Sequence, residues 1–192
     1  EKPIPIVSVV DFDPFGDTRE ENRNQAQNAV DRDPSTAWRT VRYKSADLSG
    51  KPGVGLMVDL GAPRPVSVVE LSLVGNGSDV SLRAGDDLAK APKKWKSMSE
   101  VTGAGDSLVL RVPAPVTTRY LLVWFTQLPR ADGAYQGGVS NIRVRGRVRP
   151  TPRARPDVRP SDAATTTAAR TPAPRRGRPA AAGRGSPAGS RR

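Results

Sequence analysis

Between residues 5 and 148, short apolar runs alternate with clusters of glycine, proline, asparagine and aspartate. The runs at 6–12, 55–60, 66–74, 80–84, 95–101, 108–112, 119–126 and 139–147 have the length and the two-residue period of strands. Turn chemistry punctuates them at 61–65, 75–77, 85–87, 103–105 and 113–115. No helical period competes, although residues 20–30 allow a turn or two of helix. Many short strands with this punctuation predict an all-β sandwich or barrel.

Two runs say more. In 119–126, Tyr120, Leu122 and Trp124 occupy one face while Leu121, Val123 and Phe125 occupy the other. A strand apolar on both faces belongs in the middle of a sheet, covered on both sides. In the last run Ile142, Val144 and Val148 alternate with Arg143, Arg145, Arg147 and Arg149. That guanidinium row is either an anion-binding strip or a solvated face that discourages edge-to-edge pairing. The second reading is favoured, because charged strand faces are common.

Composition adds a boundary. The chain has 192 residues and a net charge of +12, of which residues 151–192 carry +8 through ten arginines against Asp157 and Asp162. Val158 is the last strongly apolar residue, so nothing there offsets the entropy of ordering. The division is therefore a sandwich over 1–149 and a disordered, basic, Pro/Ala/Arg-rich tail over 150–192. Without aromatics to stack on bases, the tail predicts no specific nucleic-acid partner. It is either unconstrained sequence or a contact to anionic polymers or lipid headgroups. A folded part of this size buries roughly 68–70% of its unfolded surface, enough for a core without staples.

Cysteine and histidine are both absent. Disulfides, thiol chemistry, Ser-His-Asp and Cys-His catalysis and His-based zinc sites are thereby excluded. Carboxylate-pair hydrolysis remains, needing two carboxyls roughly 5–9.5 Å apart, but no pair is marked out by its context. The expectation is a protein that is not an enzyme. The longest apolar run, 120–125, falls far short of the about 20 residues of a membrane helix. The chain starts at Glu1, which suggests a piece of something longer.

Candidate chemistry sits in the presumed loops. Asp11, Asp13, Asp17, Glu20, Glu21, Asp31 and Asp33 form an acidic cluster. As an EF-hand it fails, with Phe15 at the fifth position and Asn22 at the twelfth. Trp38 and Trp124 read as core, and Trp95, beside Lys93 and Lys94, as partly exposed. The aromatic platform candidates are Phe15, Tyr43 and Tyr135; Arg39, Thr40 and Arg42 beside Tyr43 would donate to hydroxyl, carboxylate or phosphate groups.

Four segments occur in a telling order: 31–38 (DRDPSTAW), 55–61 (GLMVDLG), 119–123 (RYLLV) and 141–146 (NIRVRG). Together they resemble the discoidin, or coagulation-factor type C, family. Residues 11–17, Trp38-Arg39-Thr40 with Tyr43, and 51–56 are similar to a narrower group, the extracytoplasmic C-terminal domain of actinobacterial MviN/MurJ-type lipid II flippase homologues. The resemblance implies a jelly-roll-like, galactose-binding-like antiparallel β-sandwich outside the plasma membrane, attached to it through a membrane-embedded parent. It implies a role in peptidoglycan precursor export. It also implies a structural calcium on Asp33 and Thr36, although Asn141 stands where the family has a last-strand Glu, and Arg32 replaces a usual Gly.

The expected function is a non-catalytic binding module of the cell envelope. Its partner would be a glycan, a peptidoglycan precursor or an envelope protein. The alternative is a spacer or scaffold domain without a small ligand, its basic tail touching anionic envelope polymers.

Overall fold

The computed structural model describes residues 1–86 and 94–147. Its strands are β1 (Lys2–Ile4), β2 (Ser8–Phe12), β3 (Trp38–Arg39), β4 (Val54–Leu73), β5 (Ser78–Gly85), β6 (Lys96–Ala104), β7 (Ser107–Gln127), β8 (Arg130–Ala131), β9 (Ala134–Tyr135) and β10 (Gly138–Gly146). Two 3₁₀ segments, Arg23–Ala29 and Leu48–Gly50, lie in the loops. No helix among the described residues is long and apolar enough to cross a membrane. Arg149 and the tail lie outside the described residues.

β4 and β7 organise the architecture, because each serves both layers of the sandwich. In one layer, the first part of β4 pairs with β2 and with residues 120–125 of β7, and β7 continues to β5 and then β6. In the other, residues 66–73 of β4 lie between β10 and the first part of β7, with β1 outside β10. All pairings are antiparallel, so the fold is the expected all-β sandwich.

Two expected turns are not turns. Residues 61–65 and 113–115 fall inside β4 and β7, where the pairing shifts register between Asp59 and Arg64 and again between Val66 and Val68. Gly61 adopts φ 76°, and the neighbouring prolines break the ladder without reversing the chain. The punctuation therefore marks the bend by which each long strand passes between layers. The chain continues where the sequence suggested it would turn back.

Alternation sorts the core as the pattern predicts. Leu56, Val58 and Leu60 of β4, Leu121, Val123 and Phe125 of β7, and Val80 and Leu82 of β5 face inward. Val69, Leu71, Leu108, Leu110, Ile142 and Val144 meet them from the opposite layer. β7 lies centrally in its sheet, between β4 and β5, and its other face is also covered. Leu122, Trp124 and Trp95 form a second apolar cluster, flanked by Phe12, Met57 and Tyr120. Trp95 is only 5% exposed, against expectation. Its indole lies on Gly85, where even a Cβ would come within 2.7 Å.

Candidate functional site

The loops 13–37, 40–53 and 128–137 gather at the end of the sandwich where β2 and β7 finish and β4, β5 and β10 begin. They carry most of the polar chemistry, and a buried network ties them to the core. Tyr43 Oη donates to Glu21 Oε1 at 2.9 Å and accepts from Lys51 Nζ at 3.1 Å. Lys51 Nζ also reaches Asp13 Oδ2 at 2.7 Å. The second Asp13 oxygen accepts from the Phe15 and Gly16 amides. Glu21 Oε1 takes a further bond from the Val41 amide, while the Glu21 carbonyl holds Trp38 Nε1 at 2.6 Å. Asp11 accepts from the Glu21 amide and from Arg23 Nε.

Burial sets the electrostatics here. Glu21 is fully buried, and desolvation lifts its carboxyl above the ordinary range, against the opposing pull of Tyr43, the Val41 amide and Lys51. Its Oε2 has no hydrogen-bond partner among the described residues. Burial, with the Glu21 charge, also pushes the Tyr43 phenol upward.

The expected binding residues divide. Phe15 is 48% exposed, its ring edge-on to Trp124 with centroids 6.3 Å apart. Arg39 is exposed, and Tyr135 is half-buried. Tyr43 and Thr40 are not on the surface, which corrects their reading as binding candidates. Tyr43 exchanges both backbone hydrogen bonds with Tyr135 at 2.9 Å. Thr40 is clamped by Gly137 and Gln136, whose groups bond its amide, carbonyl and hydroxyl. These residues position the loops. Phe15 and, in part, Lys51 reach solvent instead.

The acidic cluster also separates into distinct tasks. Asp11, Asp13 and Glu21 are interior anchors, whereas Asp31 and Asp33 shape an exposed turn. Asp33 Oδ1 accepts from the Ser35 amide and hydroxyl, which hold its carboxyl below the usual range. The Thr36 hydroxyl donates to Asp31 Oδ2 at 2.6 Å. Among the described residues no three acidic side chains converge as metal ligands. The calcium set implied by the resemblance does not fit: Asp33 and Thr36 are bonded within the turn, and Asn141 supplies no carboxylate. Arg32 takes φ 68°, a left-handed conformation that suits the Gly it replaces.

Sequence reasoning missed Lys51 and the pairing roles of Asp13 and Glu21. Their partners lie 38 and 22 residues away, so no local spacing announces them.

No family model matches the chain. Among solved structures, the CBM32 module of AlyQ, in complex with 4,5-unsaturated mannuronic acid, is similar with a TM-score of 0.55 and 17% identity, over 75% of this chain and 98% of that one. A pectin-binding carbohydrate-binding module gives a TM-score of 0.52 at 15% identity, over 76% and 94%. Chitosan-binding module 1 of a Paenibacillus sp. IK-5 chitosanase/glucanase gives 0.50 at 18% identity, over 72% and 94%. At these identities the likeness is one of fold alone: these carbohydrate-binding modules share the arrangement of strands seen in this chain.

Proposed function

We propose that this chain is a non-catalytic glycan-binding module that recognises its ligand at the loop end of the sandwich. The observation that carries the reading is Phe15, an exposed ring held edge-on to a buried Trp124. Its amide is fixed by Asp13, which is itself locked by Lys51. An apolar ring beside fixed donors complements a pyranose, which offers a C–H face and a rim of hydroxyls. A shared fold with modules named for chitosan and pectin binding supports the same reading.

The motifs at 11–17, 38–43 and 51–56 support an extracytoplasmic domain of a membrane protein in peptidoglycan precursor export. The ligand would then be a peptidoglycan fragment or precursor. Sequencing the coding region upstream tests this: a series of hydrophobic spans is expected, and a plain signal peptide would contradict it.

Calorimetric titration of the full chain with chitosan oligosaccharides, soluble peptidoglycan fragments and a lipid II analogue tests the site. Binding of one of these, weakened roughly tenfold or more by Phe15→Ala, is the expected result. Silence across the panel, or equal binding by variant and parent, would sink it. A second reading, a spacer without a small ligand, is favoured by the burial of Thr40 and Tyr43, which removes two of the expected contacts from the surface.

A further inference from the structure

β10 has an open stretch on the side away from β4. β3 pairs with it at Gly138 and Val139, and β1 pairs with it from Val144 to Gly146. Between these, no strand among the described residues covers residues 140–143. A groove of about 550 Å³ opens there, within the roughly 300–1,000 Å³ typical of ligand sites.

The lining has an unusual chemistry. Arg32, Arg143 and Arg145 enter it together with Asn141, and no carboxylate is among the lining residues. Glu70 holds the Arg145 guanidinium at 3.1 Å from the outer sheet face. Arg32 and Arg143 have no ion pair among the described residues. Ile4, Ile6 and Val30 supply an apolar wall, and no aromatic ring lines the groove. Arg32 is delivered by a left-handed backbone that disfavours a side chain with a Cβ, and such strained positions gather at functional sites.

We infer that this groove is an anion site for a carboxylated sugar, a short uronate-type oligosaccharide. Guanidinium forks match carboxylates in bidentate geometry, the apolar wall suits a pyranose C–H face, and Asn141 can donate to and accept from ring hydroxyls. A nucleic acid would need rings to stack on its bases, and the groove offers none. None of Asp13, Phe15, Glu21, Tyr43 and Lys51 lines this groove.

The test is titration of the full chain with a short uronate oligosaccharide, its methyl ester and inorganic phosphate. Arg32→Gly is the principal variant, because it removes the guanidinium while suiting the backbone, so loss of binding does not reflect misfolding. Arg143→Gln is the second. Each should weaken uronate binding roughly tenfold or more, the ester should fail to bind, and added salt should weaken the parent. Phe15→Ala should leave this binding unchanged, which separates the groove from the loop-end reading. The inference is overturned if the parent does not bind the uronate, or if the Arg32→Gly, Arg143→Gln double variant binds like the parent. Equal binding of the ester, or competition by phosphate at equal concentration, would also overturn it.

Discussion

The Tyr43 hydroxyl donates to Glu21 Oε1 at 2.9 Å inside the fold, joining two loop residues that are 22 positions apart. Lys51 completes the link by donating to the same phenol oxygen and to Asp13. The bond turns an aromatic loop residue from a surface platform into an anchor, and it places a carboxyl where water cannot solvate it. The rigidity of the loop end rests on this pair.

Glu21→Gln should stabilise the protein at neutral pH by about 1 kcal/mol, since the amide keeps an acceptor for Tyr43 and removes a poorly satisfied carboxyl. The pH dependence follows from the direction of the shift. Glu21 binds its proton more tightly folded than unfolded, because burial raises its carboxyl. Its contribution is therefore fully present below the ordinary carboxylate range and is lost as pH rises through the raised value. Urea unfolding at acidic and neutral pH should show a shallower fall in stability for the variant. Parallel profiles would contradict the assignment.

Lys51→Met should cost about 2–3 kcal/mol, because it strands the buried Asp13 carboxylate without its cation. The residual amides from Phe15 and Gly16 keep the loss below that of a bare buried charge. Chemical denaturation measures it, and a change under 0.5 kcal/mol would mean that the ion pair is screened by solvent after all.

Arg32→Gly should raise stability by about 0.5 kcal/mol. Relief of a left-handed residue, roughly 1 kcal/mol, is partly offset by the greater freedom of glycine in the unfolded chain. Because the turn donors do not fit calcium, neither calcium nor a chelator should move the thermal midpoint of the parent. A calcium-dependent rise of several degrees would refute this account of the turn.

Gly53→Ala should be strongly damaging, at roughly 3 kcal/mol or more. A Cβ at this position would lie 2.3 Å from the Trp124 indole, which is itself wedged by Phe12 and Phe15. Circular dichroism melting of the variant should show the loss, together with weaker glycan binding if Phe15 is displaced. A melt within 2 °C of the parent would show that the indole can yield.

The layered fold was legible in the chain because strand geometry is local. Successive side chains point to opposite faces, so the alternation around Leu121, Val123 and Phe125 shows that this strand is central. The same logic identified Trp124, in the middle of that strand, as core. Gly61 and the prolines near it carried a real signal, a break in the ladder, but the choice between a bend and a reversal depends on the partner strand. Tyr43, Thr40 and Trp95 could not be read this way, because loop residues have no period. Their burial depends on which distant segment crosses them: Glu21 and Gly137 for the loop pair, Gly85 for the tryptophan. The groove of Arg32, Arg143 and Asn141 belongs with these. Its members become neighbours only when the turn after the 3₁₀ segment packs beside the last strand, and backbone direction in one segment says nothing about contacts made a hundred residues away.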